Sequence, residues 1–261
     1  MNCSSATWSL RQTQLQASGS LSDLALQLRE AVDHLLVDLG RDPDQRGCVG
    51  ALGGVAVDRV VAQVGGATDE PLHGPNALRS THGLPPSHPT LPSMLRDAGY
   101  CTALVGKWHL GNEPHFGPLK SGYDEHFGLM SGGIDYFTHT APNGKKDLWH
   151  NGTPVEDETY LTDLLSTRSV DFIQSSVAQN RPFFLSLHYT APHWPWETRE
   201  DHELAKTLVG KTFHLDGGSI ETYQRMIHHM DEGIGKILSE VKRLGQDKNT
   251  LVIFNKNSHS I

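Results

Sequence analysis

The sequence predicts an α/β protein, with a mostly parallel sheet flanked by helices on both faces. Two observations carry this prediction. From Leu84 onward, helix-like and strand-like segments alternate, which is the pattern of βαβ units. The strand-like segments are near-continuously apolar, as in Leu251-Val252-Ile253-Phe254, and such strands are covered on both faces. Sheets of this kind bind ligands at the carboxyl ends of their strands.

The elements follow in order. Thr90 is placed to cap a short helix carrying Leu91, Met94, Leu95 and Ala98, with Pro92 in its first turn and Gly99 as its stop. Cys101 to Gly106 then reads as a short apolar strand. Tyr160 to Val177 has apolar residues at Leu161, Leu164, Leu165, Val170 and Ile173, which is helical spacing. Arg181-Pro182 introduces a strand from Phe183 to Leu187. Ser219 starts a long helix ending at Gly245, with Ile220, Tyr223, Ile227, Met230, Ile234, Ile237, Leu238, Val241 and Leu244 expected on one face. Thr250 to Phe254 is a further strand. The first 65 residues differ: a helix is possible over Leu21 to Leu39, and Gly47 to Gly66 is rich in Gly, Ala and Val with no clear period.

Composition narrows the function classes. The 261 residues, 37% hydrophobic, suffice for one sizeable core. A formal net charge of −8 argues against general binding of nucleic acid or anionic membranes. No stretch approaches the length of a membrane span. Met1-Asn2-Cys3-Ser4-Ser5 lacks the basic start and apolar run of a secretory signal, so a cytoplasmic location is the default expectation, although an export signal could have been lost. Cys3, Cys48 and Cys101 are odd in number and far apart, suggesting neither a disulfide framework nor a zinc motif. Oligomeric state is not readable from the sequence.

Two loops carry candidate chemistry. Gly106-Lys107-Trp108-His109-Leu110-Gly111 directly follows the strand that begins at Cys101, so it lies at the carboxyl edge of the sheet. Lys107 and His109 are two residues apart and point to one side of an extended segment. A Lys supplies a point charge to a tetrahedral anion, and a His donates a hydrogen bond or moves a proton. This spacing alone does not separate an anion site from a solvent-exposed loop. His188-Tyr189-Thr190-Ala191-Pro192-His193-Trp194-Pro195-Trp196 leaves the next strand at the same edge. Its prolines forbid helix around His193 and restrict that side chain, which suits a proton donor to a leaving group. His188, still near the strand, reads as a core or edge histidine. His228 and His229, adjacent on a helix, point about 100° apart and form no cluster.

These motifs together resemble the sulfatase family. Gly106 to Gly111, after the Ala98-Gly99-Tyr100 helix stop, is similar to the second sulfatase signature. Tyr160-Leu161-Thr162-Asp163, Phe183-Phe184-Leu185 with Ala191-Pro192-His193-Trp194-Pro195, and His229-Met230-Asp231-Glu232-Gly233-Ile234-Gly235-Lys236 are similar to further blocks in the same order. Pro118 to Asp124 and Gly132 to Phe137 resemble the arylsulfatase branch. The likeness runs from about Gly66 to Phe254. It implies an alkaline-phosphatase-like fold and hydrolysis of aryl or sugar sulfate esters, with a small-molecule sulfate ester as partner. By match to the family, Lys107 and His109 would bind the sulfate and the formylglycine hydroxyl. His193 would bind the sulfate and assist the departing alcohol or phenol.

The resemblance also implies calcium and formylglycine as cofactors, and here the sequence departs from the family. No Cys-x-Pro-Ser-Arg motif exists: Cys48 is followed by Val49-Gly50-Ala51-Leu52, and Cys3 and Cys101 fit no better. No Asp-Asp pair exists either. Leu36-Val37-Asp38-Leu39-Gly40 is a faint echo of one, and Asn257 stands where an Asp ligand belongs. A cation with one such ligand would bind weakly, so no metal site is assigned. The chain is therefore read as an irregular or aberrant segment over residues 1–65 and a partial, truncated catalytic domain over 66–261. A frame disruption at both ends is expected to underlie this, the coding DNA holding the missing motifs in another frame. An inactive hydrolase by descent and a sulfate-binding pseudoenzyme or gene fragment both stay open. A phosphatase or phosphonate hydrolase would need a cluster of Asp and His that the sequence does not offer.

Overall fold

The computed structural model describes residues 59–64, 83–208 and 219–255, and at 59–64, 208 and 255 it describes the backbone. All of them lie within the compact unit Ala56–Ile261. The helix expected over Leu21 to Leu39, Cys3, Asp38, Cys48 and Asn257 lie outside the described residues.

Seven strands form one sheet: β1 (Arg59–Val64), β2 (Cys101–Lys107), β3 (Glu125–Leu129), β4 (Trp149–His150), β5 (Thr153–Pro154), β6 (Phe183–His188) and β7 (Thr250–Asn255). Their order is β5-β4-β3-β2-β6-β1-β7. β3, β2, β6, β1 and β7 run parallel, and β4 and β5 close one edge antiparallel. The α/β expectation thus holds, with an antiparallel margin added. β1 comes from the Gly/Ala/Val-rich stretch in which no period was seen. It pairs on both sides, Val61 opposite Leu185 and Val252, so its place in the sheet is fixed by backbone pairing with two parallel neighbours.

Helices cover both faces. α1 (Leu91–Asp97) is capped by Thr90 and Ser93 in a reciprocal box: Ser93 N donates to Thr90 Oγ1 at 3.2 Å, and Thr90 N reaches Ser93 Oγ at 3.0 Å. Leu95 packs on Leu104, Trp108, Tyr123, Met130 and Phe184. The opposite face carries the larger core. There Ala103, Val105, Phe127 and Leu185 meet α2 (Leu161–Ala178) through Leu165, Phe172 and Ile173. α3 (His202–Leu208) is short, and α4 (Ile220–Arg243) packs against α2. None of the described helices is long and apolar enough to cross a membrane.

The buried stripe of α4 differs from the expected one. Met226, His229, Gly233, Ile237 and Val241 are buried, whereas Ile220 and Ile227 are 67% and 37% exposed. The cause is the crossing with α2. A Cβ at Gly233 would lie 2.2 Å from Ser166 Oγ and 2.7 Å from Tyr189 Oη, so the helix turns its smallest residue inward. His229 is buried edge-on against Tyr160, 5.6 Å between ring centroids, while His228 is exposed beside Glu232 at 3.3 Å. The two histidines form no common site.

Candidate anion-binding site

Three loops leave the carboxyl edge of the sheet side by side, after β2, β3 and β6. Gly106 has φ 118, and a Cβ there would fall 1.9 Å from the carbonyl oxygen of His188. Only glycine fits, and this close approach of β2 to β6 brings the ends of the two strands together. Immediately beyond it, Lys107 is half-buried at the end of β2. Burial pulls its ammonium down to about 8, so it stays largely cationic at pH 7. His188 locks the edge: its Nδ1 lies 2.9 Å from the carbonyl oxygen of Lys107. A carbonyl only accepts, so Nδ1 carries the proton. Burial, foremost, and the charge of Lys107 pull His188 down to about 4 despite that bond, so the ring is neutral. This is the edge histidine that the sequence suggested.

His109 adopts a left-handed backbone, φ 57, and its N–H donates to the carbonyl of Met130 at 3.1 Å. The loop after β3 comes back beneath it. A Cβ at Gly132 would lie 2.8 Å from His109 Cε1, and one at Gly133 would lie 3.0 Å from His193 Nδ1. Two successive glycines thus form a shelf for two histidines from different strands. His193 Nδ1 is 2.6 Å from the carbonyl oxygen of Trp194, which leaves Nε2 unprotonated in the neutral ring. Partial desolvation and the charge of Lys107 lower its affinity for a proton, against the opposing pull of the Trp194 carbonyl. Lys107 and His193 are therefore electrostatically coupled, and His109 shares the glycine shelf with His193. All three residues singled out in the sequence lie at one edge of the molecule.

Sequence reasoning marked Gly132 to Phe137 only as a family-like block and missed Asp147 and Glu197, which support these loops. Asp147 accepts from the backbone N–H groups of Met130 at 3.2 Å and Ser131 at 2.9 Å, and from Trp149 Nε1 at 2.7 Å. Asp135 Oδ1 accepts from Phe137 N at 3.0 Å and Thr138 N at 2.6 Å. Glu197 Oε2 accepts from Tyr136 N at 2.6 Å. The carboxylates around these loops are thus engaged by backbone N–H groups, and among the described residues no group of three His, Cys, Asp or Glu could hold a metal ion. Asp38 and Asn257, the positions weighed for the expected calcium, lie outside the described residues.

A cation, Lys107, and two imidazoles, His109 and His193, thus stand at the carboxyl edge of a parallel sheet on an α/β fold. A family model described as Sulfatase matches residues 63–255, and the chain belongs to the sulfatase family. It is 34% identical over 183 residues to N-acetylgalactosamine-6-sulfatase of Mus musculus, a match covering 66% of this chain and 33% of that protein. It is 27% identical over 197 residues to the uncharacterized sulfatase YdeN of Escherichia coli strain K12, covering 69% of this chain and 34% of that protein. Among solved structures, Ps i-CgsB in complex with k-i-k-neocarrahexaose is similar at 32% identity and a TM-score of 0.56, covering 67% of this chain and 41% of that one. The fold is the alkaline-phosphatase-like one of these neighbours. The chain spans about a third of the length of the curated relatives it matches.

Proposed function

We propose that this chain binds the sulfate group of a small sulfate ester at Lys107, His109 and His193, and that it does so without turning the ester over. The shared glycine shelf carries the reading: it puts two imidazoles from different loops beside one another, with the Lys107 charge within reach of His193. Lys107 supplies a cation that is partly desolvated in advance, which strengthens its attraction for an anion. His109 donates a hydrogen bond. His193 takes up a proton at Nε2 when the anion arrives, since a negative neighbour favours the imidazolium. In a working sulfatase that proton would pass to the departing oxygen. A sulfated sugar is favoured over a simple aryl ester. One relative is an N-acetylgalactosamine-6-sulfatase, and a solved neighbour holds a neocarrahexaose.

The absence of turnover rests on the sequence, which has no Cys-x-Pro-Ser-Arg motif and no Asp-Asp pair. Titration of inorganic sulfate by calorimetry, for the wild type and Lys107→Met, tests the binding. Nitrophenol release from 4-nitrophenyl sulfate, with and without calcium, tests the rest. Sulfate binding that Lys107→Met abolishes, without nitrophenol release, is the expected result. No binding by the wild type sinks the site; release that depends on Lys107 sinks the claim of no turnover.

A further inference from the structure

The loop that bears His193 is joined to the glycine-shelf loop by a buried pair of carboxyl groups, Asp135 and Glu197. Asp135 is 4% exposed and Glu197 fully buried. They lie on different loops, Asp135 two residues after Gly133 and Glu197 four after His193. Their side chains hydrogen-bond to each other. Each is also fixed from the backbone: Glu197 by Tyr136 N at 2.6 Å, Asp135 by Phe137 N and Thr138 N. Tyr160 Oη donates to the carbonyl of Glu197 at 2.8 Å, and Tyr136 Oη donates to the carbonyl of His193 itself at 3.0 Å. One tyrosine therefore reads the carboxyl pair with its amide and His193 with its hydroxyl.

We propose that Asp135 and Glu197 share one proton and act as positioning residues, closing the His193 loop onto the glycine shelf while that proton is held and releasing it when the proton is lost. Two carboxylates in hydrogen-bond contact cannot both be ionised cheaply in a dry site. The groups around them settle which one keeps the proton. Burial pushes Asp135 up, but two backbone N–H bonds, with the side-chain bonds of Glu197 and Thr138, together outweigh it and hold Asp135 below the usual carboxylate range. Glu197 is pushed up to about 9, by burial first and by the charge of Asp135 next, with Asp201 adding to it and the Tyr136 N–H opposing. Tyr136 and Tyr160 stay neutral beside them, raised by burial. His139, lowered by burial, is neutral and faces Asp135 from the same loop. Glu197 is thus the carboxylic acid and Asp135 its acceptor. The inference rests on the anion-site reading for its purpose but not for its test.

The test follows the His193 ring Cε1–H signal and the exchange of the Tyr136 amide proton by NMR in the full chain, without sulfate. Lys107→Met serves as the background, because Lys107 itself titrates near 8 and is coupled to His193. In that background an alkaline transition is expected, with a shifted His193 signal and Tyr136 exchange at least about tenfold faster than base catalysis alone gives. Glu197→Gln keeps a donor for Asp135 and an acceptor for Tyr136 N, so it is expected to leave the neutral-pH signals in place and remove the transition. Glu197→Ala is expected to displace the His193 signal already at pH 7; if it does not fold, the Gln variant decides. A transition that survives Glu197→Gln, or a His193 signal indifferent to Glu197→Ala, overturns the proposal. A wild type that fails to bind sulfate while these signals behave as stated sinks the anion-site reading alone.

Discussion

His109 and His193 leave different strands, yet their rings rest on neighbouring residues, His109 over Gly132 and His193 over Gly133. The contact distances to an added Cβ, 2.8 Å and 3.0 Å, leave no room for a methyl group on either glycine without moving a histidine. The positions of the two imidazoles are therefore constrained by a third loop, the one after β3.

Gly132→Ala and Gly133→Ala test that dependence separately. Neither glycine has a left-handed backbone, so alanine is conformationally acceptable and the fold should survive with a nearly unchanged Tm. Each variant should weaken sulfate binding on the order of fivefold, the worth of one misplaced hydrogen bond of about 1 kcal/mol. Calorimetry beside a thermal melt separates the two effects; unchanged affinity in both variants contradicts the shelf.

Sulfate binding should fall at alkaline pH. The binding form of Lys107 is the cation, which predominates below its value of about 8 and is lost above it. Above that pH, affinity should decline by up to about tenfold per unit. Lys107→Met should bind at least about tenfold more weakly at pH 7 and lose the part of the decline that sets in near 8, keeping only the later one that follows the Glu197 transition. A wild-type profile flat to pH 10 rules out Lys107 as the principal cation.

Gly106→Ala should be among the most damaging single changes at this edge. It combines φ 118 with a Cβ 1.9 Å from the His188 carbonyl oxygen, on backbone that cannot swing aside. A loss of about 3 kcal/mol or more is expected, read as a large drop in Tm or failure to fold. A Tm within a degree or two of wild type contradicts the close approach of β2 and β6.

Arg199 bridges two helices: its Nε and Nη2 lie 2.7 Å from the two carboxylate oxygens of Asp163 on α2, and Nη1 reaches Glu232 on α4. The side chain is 29% exposed. Solvent screening limits the network's worth, and Arg199→Met should cost only about 1 kcal/mol, less at high salt. Urea melts at low and high ionic strength measure it, and a salt-independent loss argues for packing instead.

Stability should fall at both ends of the pH scale because of the carboxyl pair. The folded value of Glu197, about 9, lies above its ordinary 4.5, so its contribution is whole below 4.5 and is lost as pH rises towards 9. Asp135 is lowered from 3.8, so its contribution is whole above that value and is lost as pH falls through the depressed one. Urea midpoints from pH 3 to 10 trace both limbs. Glu197→Gln should flatten the alkaline limb and spare the acidic one.

The local elements, and the residue types at their ends, were legible in the amino-acid order. Thr90, Pro92 and Gly99 bracket α1 because capping and proline geometry act within a few residues. Lys107, His109 and His193 could be singled out because each follows an apolar strand whose carboxyl end is where such a sheet places ligands. Tertiary structure decided what depends on contact between distant segments. It turned α4 so that Gly233 faces Ser166, against the stripe that period alone suggests. It enlisted β1 from a stretch with no period, through parallel pairing with β6 on one side and β7 on the other. It also chose Gly132, Gly133, Asp135 and Glu197 as builders of the site. Gly132 to Phe137 stood out only as a block resembling the family, and Glu197 not at all, since a steric shelf and a carboxyl pair form only once loops far apart in the chain are packed together.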